Sequence, residues 1–223
     1  ETFTVRRSVN YKKFGQTSIK YTMFNLIKLI RNNDLDKLGQ NLLKETSEIE
    51  QKWSAMHDFG LHGQNRKFVK HLLSRISSYL DIVIGKDNNY VSYHNPDGRQ
   101  FEIEHLWGNK FNEHKDEFEQ ELDFQNWRNS IGGLVLLPNG TNQSFSSDKY
   151  EDKIKHYQKE NTYVQTLTNI YYEKNPNFLK SELISKLDFK AHPELKKQDI
   201  KERKELVMRI CEQIWSTEYY KTE

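Results

Sequence analysis

The chain has 223 residues, one cysteine and a formal net charge of +2. A lone Cys211 excludes an internal disulfide framework and Cys-rich zinc sites, leaving any metal to oxygen and nitrogen ligands, and the near-neutral sum does not mark a uniformly basic nucleic-acid binder. No apolar run approaches eighteen residues and no signal pattern opens the chain, so neither membrane insertion nor secretion is indicated and a cytoplasmic location is expected. Hydrophobic residues are only 35% of the chain, but twelve Phe, twelve Tyr and four Trp supply large buried areas from few positions. The first residue is Glu rather than Met, so an excised portion of a longer polypeptide or a processed chain is expected.

Apolar spacing predicts a first helix over Ser18 to Arg31, closed by Asn32-Asn33-Asp34. A second, long helix runs from Leu35 through Trp53 toward Phe59, and a third from Phe68 to Val83, before Gly85. Tyr90 to Tyr93 is a short strand candidate between loop signals. From Gln100 the texture changes. Phe101 to Leu106 alternates apolar and polar residues as a half-buried strand does, and Gly133 to Leu137 is a short buried strand stopped by Pro138. The polar excursion between them fits one or two short helices. Helical patterns then cover Lys149 to Tyr157, Tyr163 to Tyr172, Asn177 to Leu187 and Gln198 to Trp215. The expected fold is α+β and mostly helical, with a helical segment at 1–99 joined to a domain at 100–223 that carries the two strands.

Chemistry concentrates at Glu104-His105, the end of the first strand. A carboxylate offers hard oxygen to a divalent cation, and a neutral imidazole takes a proton near pH 7. On the dipeptide alone a surface Glu beside a structural His is the commoner arrangement, and in a regular strand the two side chains point to opposite faces. The second strand leads through Asn139-Gly140-Thr141 to Asn142, where a helix start brings an amide oxygen toward the pair. Downstream, Lys149 and Lys153 lie four apart, fitting contacts to neighbouring phosphates as well as a solvated helix face.

Taken together, Glu104-His105-Leu106-Trp107, Ile131-Gly132-Gly133-Leu134-Val135-Leu136-Leu137-Pro138, and Asn142-Gln143-Ser144-Phe145 with Lys149 and Lys153 resemble the HNH-type (His-Me finger) nuclease domain of GmrSD-like modification-dependent restriction proteins. The resemblance extends from about Phe101 to Trp215, and more loosely through the preceding helices. It implies a ββα-metal finger among helices, with His105 as general base, Glu104 and Asn142 as ligands of Mg²⁺ (or Mn²⁺), and Lys149 and Lys153 on DNA. It also implies a phosphodiester hydrolase acting on DNA, with modified phage DNA as the expected target, in an antiphage restriction protein whose upstream part is a ParB-like nucleotide-hydrolysing domain. One departure stands out. Gly133 occupies the place where the wider family has Asn, so the contact that braces the loop or orients the imidazole must come from elsewhere or be absent. That departure motivates a rival reading, a DNA-binding or regulatory module with a decayed site.

Charge is uneven. Arg6, Arg7, Lys12, Lys13, Lys20, Lys28 and Arg31 precede Asn33 with no acid among them after Glu1, which suits a phosphate backbone or a packed upstream domain equally. Residues 113–123 are acidic and should form a helix facing away from DNA.

Overall fold

The computed structural model describes residues 1–12, 16–95, 101–141 and 148–220. Three helices open the chain: α1 (Thr2–Tyr11), α2 (Gln16–Ile30) and α3 (Leu35–Ser47). The sequence pattern did not single out α1, and it ran the second helix too far. Asp34 caps α3, its side chain accepting from Lys37 N at 2.8 Å, but the helix stops at Ser47, and Trp53–Asp58 forms a separate 3-10 turn. Trp53 leaves the stripe because it stacks on Trp215, ring centroids 5.4 Å apart. Arg6 is likewise structural, with Nε donating to Gln51 O at 2.8 Å.

Helix α4 (Arg66–Val83) is the central rod, burying Phe68, Val69, Leu72, Leu73, Ile76 and Leu80 along one face at helical spacing. The segment read as a third strand is a short helix, α5 (Tyr90–His94). Its aromatic and β-branched residues suit a strand by propensity, but tertiary contacts decide otherwise. Tyr93 Oη donates to the buried Asp81 of α4 at 2.7 Å, and Tyr90 Oη lies 2.8 Å from His71 Nδ1.

Both expected strands are present. β1 (Phe101–His105) pairs antiparallel with β2 (Leu134–Pro138), Glu104 opposite Val135 and His105 opposite Leu134. Between them lie a 3-10 turn at Phe111–His114, helix α6 (Glu121–Arg128) and a tight turn at Ile131–Gly133. The acidic stretch is therefore not one helix. Asp116 and Asp123 pair with Lys196 and Lys197 at 3.2 and 3.4 Å, and Glu117 accepts from Lys197 N, where acid at a helix N-terminus is favourable. Residues 139–141 turn helical directly after β2, and 142–147 lie outside the described residues.

The rest is built of short pieces: α7 (Tyr150–Lys153), α8 (Thr162–Gln165) and α9 (Asn169–Lys174), then 3-10 turns at Phe178–Lys180 and Ile184–Lys186 instead of the helix expected over Asn177 to Leu187. The closing helix α10 (Lys197–Ile214) matches expectation. It packs so tightly on the Ile131–Gly133 turn that a Cβ on Gly132 would stand 2.3 Å from Ile200 O. The buried guanidinium of Arg203 seals this contact, donating from Nε to Gly132 O at 2.7 Å and from Nη2 to Tyr163 Oη at 3.0 Å. One hydrophobic cluster runs from Val5 to Trp215 through α4, both strands and α10. No helix among the described residues is long and apolar enough to cross a membrane.

Candidate active site

β1 ends at His105 because its neighbours there are fully engaged. Leu106 N donates to Gly133 O at 2.9 Å, continuing the ladder by one bond, and Lys153 Nζ donates to His105 O at 2.9 Å. Side-chain alternation along the strand then separates Glu104 from His105. Glu104 turns inward, where its Oε1 accepts from the Lys153 ammonium at 2.5 Å, and both side chains are withdrawn from solvent. Burial raises the Glu104 pKa above the ordinary carboxylate value, opposed by Lys153, Arg128 and the His105 backbone N–H.

Lys153 corrects the expected placement. Its spacing from Lys149 suggested one exposed helical face, but α7 is a single turn and Lys149 is its N-cap rather than part of it. Lys149 stays exposed, 3.6 Å from Glu113, whereas Lys153 is 0% exposed and belongs to Glu104. Asn142 lies outside the described residues.

His105 turns the other way, its Nε2 standing 2.8 Å from Asn129 Oδ1. An amide oxygen only accepts, so Nε2 carries the hydrogen and the lone pair of the neutral ring is on Nδ1. Burial lowers the His105 pKa to about 4, helped by Arg128, Lys153 and Arg66 and opposed by the Asn129 contact. The imidazole is therefore neutral at pH 7, in a cationic surround. Arg128 is held by its Nε, which donates to Trp107 O at 3.1 Å, and Arg66, at the start of α4, pairs with Glu102 at 3.6 Å.

Asn129, Arg128 and Arg66 were not read from the sequence. The one available signal was the position of Asn129, four residues before the departure at Gly133. A Cβ on Gly133 would stand 2.8 Å from Arg128 O, so the turn as built has no room for a side chain there.

A family model described as GmrSD restriction endonucleases, C-terminal domain, matches residues 49–210, well over half of the chain. The chain belongs to this family. No curated protein and no solved structure matches. For a GmrSD C-terminal domain the match spans α4, both strands, α6 and most of α10, so it takes in His105 and everything described around it. Membership supports a nuclease.

The residues near His105 do not, as arranged, assemble a metal site. Glu104 spends one oxygen on Lys153 and faces away from the imidazole, whereas a bound Mg²⁺ keeps several waters around it. Among the described residues, one group of three His, Asp or Glu side chains brings ligand atoms within 4.8 Å of one another: His192, Asp199 and Glu202. These residues already have partners. Asp199 Oδ1 is 2.8 Å from His192 Nδ1, its Oδ2 accepts from Lys196 N, and Glu202 pairs with Lys190 at 2.5 Å.

Proposed function

We propose that this GmrSD C-terminal domain is an HNH-type endonuclease that hydrolyses phosphodiester bonds in DNA, with His105 as the general base. The observation that carries this reading is the state of His105. The ring is neutral at pH 7, held at Nε2 and left with its lone pair on Nδ1, as a base that deprotonates water requires. Its low pKa makes it a weak base while the site is empty of anions. A phosphodiester arriving beside Arg66 and Arg128 brings negative charge, offsets those cations and raises the basicity of the imidazole when the proton has to move.

Within this reading the divalent ion is Mg²⁺ or Mn²⁺ and Glu104 and Asn142 are the residues to hold it, which requires Glu104 to leave Lys153 and turn from the strand face opposite His105. The ion would stabilise negative charge on the phosphate and leaving oxygen. Exposed Lys149 is the lysine left to meet phosphate. The wider setting is a cytoplasmic antiphage restriction protein acting on modified phage DNA, with a ParB-like nucleotide-hydrolysing domain upstream.

Plasmid nicking tests the core of it. Cleavage with Mg²⁺ or Mn²⁺ should disappear with EDTA, and His105→Ala should lower the rate by roughly 10²–10⁴-fold with the fold and DNA binding retained. Equal cleavage by wild type and His105→Ala would sink the assignment. The rival reading, a DNA-binding module without activity, is favoured by one observation, the closure of Glu104 onto Lys153. It expects DNA binding with no nicking under any metal.

A further inference from the structure

Gly133 lacks the side chain that the family resemblance places at that position, yet the His105 ring is still held. We propose that Asn129 is the positioning residue for His105, taking over from a different point in the chain the orienting contact that Gly133 cannot supply. This rests on the reading of His105 as the base.

Three observations converge on Asn129. Its Oδ1 lies 2.8 Å from His105 Nε2, the one ring contact described for that histidine. Its backbone is fixed independently of its side chain. Asn129 ends α6, its N–H donating to Gln125 O at 2.9 Å, and its carbonyl accepts from Leu61 N at 2.7 Å where Gly60 bridges to Ser130. That approach is close enough that a Cβ on Gly60 would stand 2.6 Å from Asn129 O. The third observation is at Gly133, where a Cβ would be 2.8 Å from Arg128 O, one residue before Asn129. The same crowding that excludes a side chain at 133 brings the end of α6 against the strand that carries His105. An amide on a clamped backbone then sets both the ring's orientation and its tautomer, because an accepting oxygen at Nε2 leaves Nδ1 free to take a proton.

Asn129→Ala and Asn129→Asp in the full chain test this. Both substitutions leave the two backbone bonds of Asn129 in place, so thermal midpoints close to wild type are expected. In Asn129→Ala, kcat for plasmid nicking should fall roughly 10–100-fold, as for loss of a partner that orients an active-site ligand, with KM for DNA unchanged. Asn129→Asp, which keeps an oxygen at Nε2, should restore most of kcat. An independent readout is the His105 Nε2–H resonance in proton NMR, assigned by its loss in His105→Ala. It should be protected from exchange in wild type and Asn129→Asp and absent in Asn129→Ala.

Retention of that resonance in Asn129→Ala would overturn the proposal, as would its loss with kcat unchanged. So would a fall in KM and kcat together with a lowered thermal midpoint and no rescue by Asp, which is the pattern of a merely structural residue. If wild type and His105→Ala cleave alike, the role of His105 fails and the catalytic role of Asn129 with it. The NMR arm still reads the hydrogen bond, so the two failures remain distinguishable.

Discussion

Asp81, near the end of α4, and Glu104, near the end of β1, are both buried acids, and they are held in opposite ways. Asp81 is gripped by neutral donors. Tyr93 Oη and Asn89 Nδ2 donate to its Oδ2 at 2.7 and 3.2 Å, and Thr162 Oγ1 donates to its Oδ1 at 2.5 Å. Those three donors come from two separate segments, so the carboxylate ties α4 to α5 and α8, and any movement breaks several bonds at once. Glu104 instead has one full countercharge, the ammonium of Lys153 on a one-turn helix. A carboxylate held by a single long cationic side chain can change partner at the cost of one ion pair. The first arrangement suits a fixed joint, and the second suits a site that must accept a new ion or phosphate.

The sharpest way to break this contrast is at Lys153. Lys153→Met removes the countercharge and leaves Glu104 buried and unpaired, so unfolding in urea should show a loss of about 3–5 kcal/mol. The double variant Lys153→Met with Glu104→Leu should recover most of that loss, because an apolar pair of similar volume avoids the desolvation of both charges. A single variant costing under about 1 kcal/mol would mean that water reaches Glu104 and that the pair is not the closed unit described here.

Asp81 should respond less. Asp81→Asn keeps the shape but can accept on one side only, so an NH₂ group must face a hydroxyl or amide donor. A loss of about 2–3 kcal/mol in the same urea experiment is expected, with no change in DNA nicking. Loss of activity at unchanged stability would show that the two regions are coupled.

How far such differences could be read in advance depends on the range of the interactions behind them. The periodic helices α2, α4 and α10, the alternating β1 and the apolar β2 were legible because one face of each is buried and the period is visible within a few residues. That Glu104 and His105 point to opposite faces of a regular strand was legible, whereas their service in one metal site was an expectation that the strand geometry does not itself produce. The partners were not legible. Lys153 looked like a surface lysine because its four-residue spacing from Lys149 presupposes a longer helix than the single turn that forms. Asn129 is an ordinary polar residue at a helix end until the chain at Gly60 and Leu61, nearly seventy residues earlier, closes on its carbonyl. Tyr90 to Tyr93 became a helix because Asp81 and His71 claim its hydroxyls, a choice made by α4 rather than by local propensity.

The smallest expected effect concerns pH and separates the two regions again. His71 sits on α4 one helical face away from the Asp81 joint, with Tyr90 Oη 2.8 Å from its Nδ1, Glu1 Oε1 3.8 Å from its Nε2, and His94 and Arg75 nearby. Burial lowers its pKa from 6.5 to about 4, against the pull of Glu1 and with help from His94 and Arg75. The unfolded chain therefore takes up this proton first as the pH falls. Stability from keeping the ring neutral is complete above pH 6.5, drains away between 6.5 and about 4, and is gone below that. His71→Gln has no such proton to take up, so its stability should fall less steeply across that window, by roughly 2 kcal/mol at the acid end relative to wild type. His105 loses its neutral form in the same direction and over the same range, so it continues to destabilise both proteins equally. The difference between the two urea curves then isolates α4 from the end of β1. Parallel curves would place the acid sensitivity of this domain outside His71 and closer to the His105 site.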